Sequence, residues 1–183
     1  RDLHYPLRRQ RQMCIRDRDI IMKILGLEHV DVEHPGYFLK LLQEDGHTYH
    51  GVILGTGEKI TSIDNFDGLW VMCGPIDGWE EDKYPWLVNE KNFIKKSVIE
   101  LGVPYLGLCL GHQLLAEALG GEVGKSKKPE IGVLSVNLTE IGSQGIFFDG
   151  VDDFCCIALL EGTQIGMTAH AEKLYELELG KDY

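Results

Sequence analysis

The chain has 183 residues, 44% of them hydrophobic and 26% charged, with a formal net charge of −11. That is the composition of an ordinary folded protein with room for one sizeable core. The acidic balance argues against a nucleic-acid partner, which needs clustered Lys and Arg, and no apolar run reaches the ~18 residues of a membrane span.

In chain order, the first stretch does not read as fold. Residues 1–19 carry six Arg and three Asp and lack the sustained apolar segment of a secretory signal. Residues 1–21 are therefore expected to be an extraneous or disordered basic leader ahead of a start at Met22, and residues 22–183 a single α/β domain, atypical from about 155. The five cysteines, at 14, 73, 109, 155 and 156, show neither metal-ligand nor disulfide-framework spacing. A reduced, cytoplasmic setting is expected, with no metal and no cofactor.

Residues 21–27 form a short apolar strand. Pro35 suits the first position of a helix in which Tyr37, Phe38, Leu41 and Leu42 recur at helical spacing, ending near Asp45-Gly46. Residues 48–54 are a second strand, and the Gly55-Thr-Gly57 after it is too little for a dinucleotide fingerprint. Turn chemistry at residues 64–68 precedes a third buried strand at 69–72, closed by Cys73-Gly74-Pro75. The acidic, aromatic run at 77–86 reads as a solvated loop. An amphipathic helix comes next at 87–101, with Leu87, Ile94, Val98 and Leu101 facing inward and Lys91, Lys95 and Lys96 outward. Strands alternating with helices predict a doubly wound, mostly parallel, flavodoxin-like sheet with its ligands at the carboxyl ends of the strands.

The chemistry concentrates in Pro104-Tyr-Leu-Gly-Leu-Cys109-Leu-Gly-His-Gln113. An apolar strand stops at Cys109, and a helical pattern (Leu114, Leu115, Ala118, Leu119) begins at once and closes at Gly120-Gly121. Gly107 and Gly111 lie two residues either side of the cysteine, which is the nucleophile-elbow arrangement with Cys in place of Ser. A tight strand-to-helix turn strains the central residue and leaves no room for side chains on its neighbours. A thiol at a helix N-terminus faces unpaired N–H groups and the positive end of the helix dipole, which favour thiolate.

Residues 107–121 resemble the nucleophile motif of class I glutamine amidotransferases, most nearly the glutaminase domain of GMP synthase and its stand-alone relatives. The resemblance runs from about Met22 to about Phe154. It implies Cys109 as the nucleophile, L-glutamine as the substrate, and the backbone N–H groups of Gly74 and Leu110 as the oxyanion hole. Gln113 matches a position that contacts bound glutamine. Cys73 departs from the family, which has glycine there. A synthetase acting in trans is the partner the resemblance implies, because no synthetase domain is visible in this chain.

Beyond the elbow, residues 120–126 mimic a phosphate loop, but the glycine spacing is short by one and the segment comes after a helix. His112 has no second ligand at metal spacing. Residues 131–138 alternate as a strand. The family ends with a late His-x-Glu that supplies the base and its orienting carboxylate. Only 74 residues come after Cys109 here, and His170-Ala-Glu172 has the spacing without the apolar strand before it. The C-terminal part is thus expected to be incomplete and the activity impaired. Two other functions stay open at this point: a catalytically silent partner-binding module, and a hydrolase of other γ-glutamyl amides or peptides.

Overall fold

The computed structural model describes residues 21–125 and the backbone of three further strands, falling into two compact units, one ending at Glu122 and one spanning Val123–Gly166. His170 and Glu172 lie outside the described residues, as does the leader up to residue 20.

The first unit is built on one sheet of β1 (Lys23–Glu28), β2 (Thr48–Ile53), β3 (Gly68–Val71) and β4 (Tyr105–Gly107), ordered β2-β1-β3-β4. Every pairing in it is parallel. Parallel neighbours need crossover connections. Helix α1 (Tyr37–Glu44) lies in the crossover from β1 to β2, and α2 (Trp86–Lys95) in that from β3 to β4; α3 (Leu110–Ala118) comes after β4. The chain leaves β1 first toward one edge and then returns to its other side, which creates a switch point between β1 and β3. Ligand crevices of this fold class open there, at the carboxyl ends of the strands.

The alternation of side chains along the strands explains both faces. Leu25 stands opposite Leu69 and Leu27 opposite Val71, so all four share one face. They are fully buried against Leu87 and Ile94 of α2 and Leu110 and Leu114 of α3. Each such burial contributes roughly 1.5–3 kcal/mol. On the other face, Trp70 meets the rings of Tyr49 and, from α1, Phe38, both at 6.1 Å between centroids. Gly26 lies under this cluster because a Cβ there would run into the Tyr49 ring. Helices on both faces of a parallel sheet are the doubly wound α/β architecture that the sequence predicts.

Three local expectations need correction. Pro35 sits outside α1, whose N-cap is Gly36 at φ 57. Leu101 does not face inward but is 49% exposed. The cause is a wider π turn at Lys96–Glu100, which rotates the next residues off the buried stripe. Lys91 does not point to solvent: its side chain is 14% exposed and held by Glu81 at 2.7 Å and Glu117 at 2.6 Å. Two carboxylates on one side of the helix outweigh its drift to water.

In the second unit, β6 (Glu130–Val136) and β7 (Phe154–Leu160) pair antiparallel, with Val133 opposite Ile157. Strands β5 (Glu122–Lys125) and β8 (Thr163–Gly166) form another pair. The Gly-rich run after α3 thus continues into a strand, β5, up to Lys125. Among the described residues, no helix is long and apolar enough to cross a membrane.

Candidate active site

Three strand ends meet at the carboxyl edge of the first sheet. After β4, the Leu108 N–H donates to the Val71 carbonyl at 3.0 Å, extending the sheet by one rung. The chain then turns at Cys109, with φ 53 and ψ −105. Among the described residues it is the one non-glycine residue with positive φ. Such a conformation costs of order 1–3 kcal/mol and persists only where the surroundings enforce it. Here α3 does so: the Cys109 carbonyl accepts from the N–H groups of His112 at 3.1 Å and Gln113 at 3.2 Å, starting the helix. The Cys109 side chain is left exposed at the N-cap.

The flanking glycines are sterically required. A Cβ on Gly107 would lie 2.7 Å from the Gly111 carbonyl carbon and 2.7 Å from the Tyr105 ring. A Cβ on Gly111 would collide with the Val71 carbonyl of β3. Strand and helix therefore approach each other backbone to backbone, and only the cysteine projects from the bend.

Gly74 and Leu110 come together beside it. A Cβ on Gly74 would sit 2.8 Å from Leu110 Cδ2 and 3.0 Å from the His29 Cβ. Leu110 opens α3 and is buried, and no hydrogen bond among the described residues uses the N–H of either Gly74 or Leu110. Cys73, partly buried, has its thiol pushed up to about 12, first by burial and then by the Cys109 sulfur and the Glu33 carboxylate. It stays a neutral thiol at physiological pH, as a side chain that fills space would.

One turn into α3, Gln113 is 5% exposed, and its Oε1 finds no hydrogen-bond partner among the described residues. A buried amide oxygen without a donor is destabilising unless something else supplies one. His112 points outward at the same turn, and desolvation of its ring lowers its pKa from 6.5. No cluster of metal-ligating side chains occurs among the described residues.

A buried pair beneath Gly74 was not legible in the sequence. His29, just past the end of β1, is 2% exposed. Its Nδ1 lies 2.7 Å from the Cys73 carbonyl oxygen and its Nε2 3.0 Å from Glu90 Oε1 of α2. Its ring stacks on Trp86 at 5.6 Å. Burial works against its protonation, but the Glu90 hydrogen bond and charge, the Cys73 carbonyl and Glu33 outweigh it, and the pKa is raised above 6.5. The one sequence signal is a polar Glu28-His29 directly after an apolar strand; Glu90 is 61 positions away.

The glutamine amidotransferase class-I family model matches residues 43–155 of this chain. A subunit of the glutamine-hydrolyzing GMP synthase of Sulfolobus acidocaldarius is 36% identical over 89 residues, 49% of this chain and 44% of that protein. The glutamine amidotransferase-like protein YfeJ of Salmonella typhimurium is 34% identical over 125 residues, 66% of this chain and 52% of that one. The chain thus spans about half the length of these curated relatives. The crystal structure of a glutamine amidotransferase from Thermotoga maritima superposes with a TM-score of 0.73 at 25% identity, covering 82% of this chain and 64% of that one.

Proposed function

The chain belongs to the class-I glutamine amidotransferase family, and from that premise we propose that Cys109 carries the glutaminase half-reaction. The Cys109 sulfur attacks the side-chain amide carbon of L-glutamine, and the oxyanion is held by the N–H groups of Gly74 and Leu110. Ammonia leaves, a γ-glutamyl thioester remains on Cys109, and water releases glutamate. Gln113 contacts the bound glutamine from the first turn of α3. The reaction needs a histidine to move protons; in the family a late His-x-Glu supplies it, and His170-Ala-Glu172 matches that pattern in spacing only. With that pattern missing or atypical in this sequence, turnover is expected to be impaired. The ammonia passes to a synthetase acting in trans, and the setting is cytoplasmic.

The observation that carries this reading is the conformation of Cys109: an exposed thiol at positive φ on a helix N-cap, between two glycines that cannot bear a Cβ. Backbone donors in such a site typically contribute ~2.7–4 kcal/mol each to the transition state. The test is ammonia release from glutamine, together with labelling by a glutamine analogue that alkylates thiols. The wild-type chain is expected to label at Cys109 and Cys109→Ala to lose both labelling and ammonia release. A wild-type Cys109 that the analogue leaves unmodified under native conditions overturns the reading.

A further inference from the structure

We propose that the buried His29–Glu90 pair locks the Cys73–Gly74 peptide with its N–H turned toward the Cys109 pocket, which makes His29 a positioning residue for the oxyanion site. This role rests on the glutaminase reading and adds to it the device that holds one of the two donors in place.

The geometry is that of a single peptide plane. The Cys73 carbonyl oxygen and the Gly74 N–H belong to the same unit, which is trans, so the two groups point in opposite directions. The carbonyl is held at 2.7 Å by His29 Nδ1. A carbonyl only accepts, so Nδ1 carries a proton; the Glu90 carboxylate also accepts, so both bonds hold together when the ring is doubly protonated or Glu90 keeps the second proton. With the oxygen turned to His29, the Gly74 N–H is turned away from it. The residue most in need of such a constraint is a glycine, whose backbone is free to adopt either sign of φ.

The lock itself has little freedom. His29 Nε2 bonds Glu90 Oε1 at 3.0 Å, the Glu90 side chain is 0% exposed, and Trp86 covers the imidazole face. The His29 Cβ and Cγ abut the space where a Gly74 side chain would stand, at 3.0 and 3.1 Å. Glu90 Oε2 has no hydrogen-bond partner among the described residues, so the carboxylate relies on the imidazole it faces. Two buried polar side chains joined across 61 positions are an expensive way to fill a core. Among the described residues, their one hydrogen bond to the candidate site is to the carbonyl whose peptide supplies the donor.

The test separates acylation from simple thiol reactivity. Acylation of Cys109 is monitored as the burst from a γ-glutamyl p-nitrophenyl ester, whose leaving group needs no proton. Alkylation of Cys109 by iodoacetamide forms no oxyanion and serves as the comparison. His29→Leu is expected to slow acylation by ~100-fold, the lower range for loss of one oxyanion donor, with KM and the alkylation rate unchanged. His29→Asn, whose amide N–H can take the place of Nδ1–H, recovers most of the loss. Equal acylation in wild type and His29→Leu overturns the proposal, as does a parallel fall in alkylation or an Asn variant no better than Leu. Should His29→Leu fail to fold, Glu90→Gln replaces it, with acylation down about tenfold and alkylation unchanged. If the wild-type chain gives no burst, the glutaminase reading fails, and the lock is judged by crystallography of the same variants. A flipped Cys73–Gly74 peptide in the variant supports it, and an unmoved one overturns it.

Discussion

The Tyr105 hydroxyl donates a 2.8 Å hydrogen bond to the Gly111 carbonyl, tying the strand before the elbow to the first turn of the helix after it. Burial raises the phenol well above its usual pKa, with the Glu90 charge adding to the effect, so the donor keeps its proton. Tyr105→Phe removes the bond and little else. The expected loss is about 0.5–1.5 kcal/mol, read as a lower denaturant midpoint at unchanged slope.

Glycine-to-alanine changes separate two mechanisms within one segment. At Gly111 the added methyl would strike the Val71 carbonyl, so strand and helix must part; a loss of about 1–3 kcal/mol or more is expected. At Gly120 there is open space, but φ is 85, and the residue closes α3 with the Gly121 N–H bonded to the Ala116 carbonyl at 2.7 Å. Gly120→Ala therefore loses only the conformational share, about 1–2 kcal/mol. Thermal unfolding of the two variants checks the order, and a Gly111→Ala protein as stable as wild type would contradict the close approach.

The pH dependence of stability is set in part by His29. Its folded pKa lies above 6.5 because Glu90, the Cys73 carbonyl and Glu33 overcome the burial that opposes protonation. The folded chain then holds the proton more tightly than the unfolded one. That stabilisation is fully present below the unfolded value of 6.5 and disappears as pH rises through the folded pKa. Wild type is expected to lose stability across this window, and His29→Asn to lose that part of the slope. Denaturant midpoints measured from about pH 6 to about pH 9 decide it.

The two thiols at the sheet edge should react in a fixed order. Cys109 is exposed, whereas Cys73 is partly buried and pushed up to about 12. Brief alkylation near neutral pH is expected to modify Cys109 and spare Cys73 by roughly two orders of magnitude, because the thiolate is the reacting form. Peptide mapping reads the ratio. In Cys109→Ala the Cys73 thiol should titrate closer to its ordinary range, since one of the contributions raising it is gone.

The elbow was legible because its requirements are local. Gly107, Cys109 and Gly111 lie within five residues, and the strain that selects the glycines arises between backbones that the sequence places side by side. The parallel sheet was legible for a similar reason: short apolar runs such as those of β1 and β3 alternate with helical spacing. The His29–Glu90 pair was not, because an isolated histidine in a turn and a glutamate on a helix show no mutual spacing until the fold joins them. The helix wheel of α2 failed at Leu101 and Lys91 for different reasons. A π turn shifted the period at the first, and two distant carboxylates captured the second.

The backbone at Cys109 has a further consequence for what the side chain means to the molecule. At φ 53 a β-carbon is a burden that glycine would not bear. Cys109→Gly should leave the chain more resistant to heat, with the relief of strain (of order 1–3 kcal/mol) offset in part by the floppier unfolded chain. A protein that melts higher once its sulfur is deleted would be holding that sulfur against its own interest as a folded object.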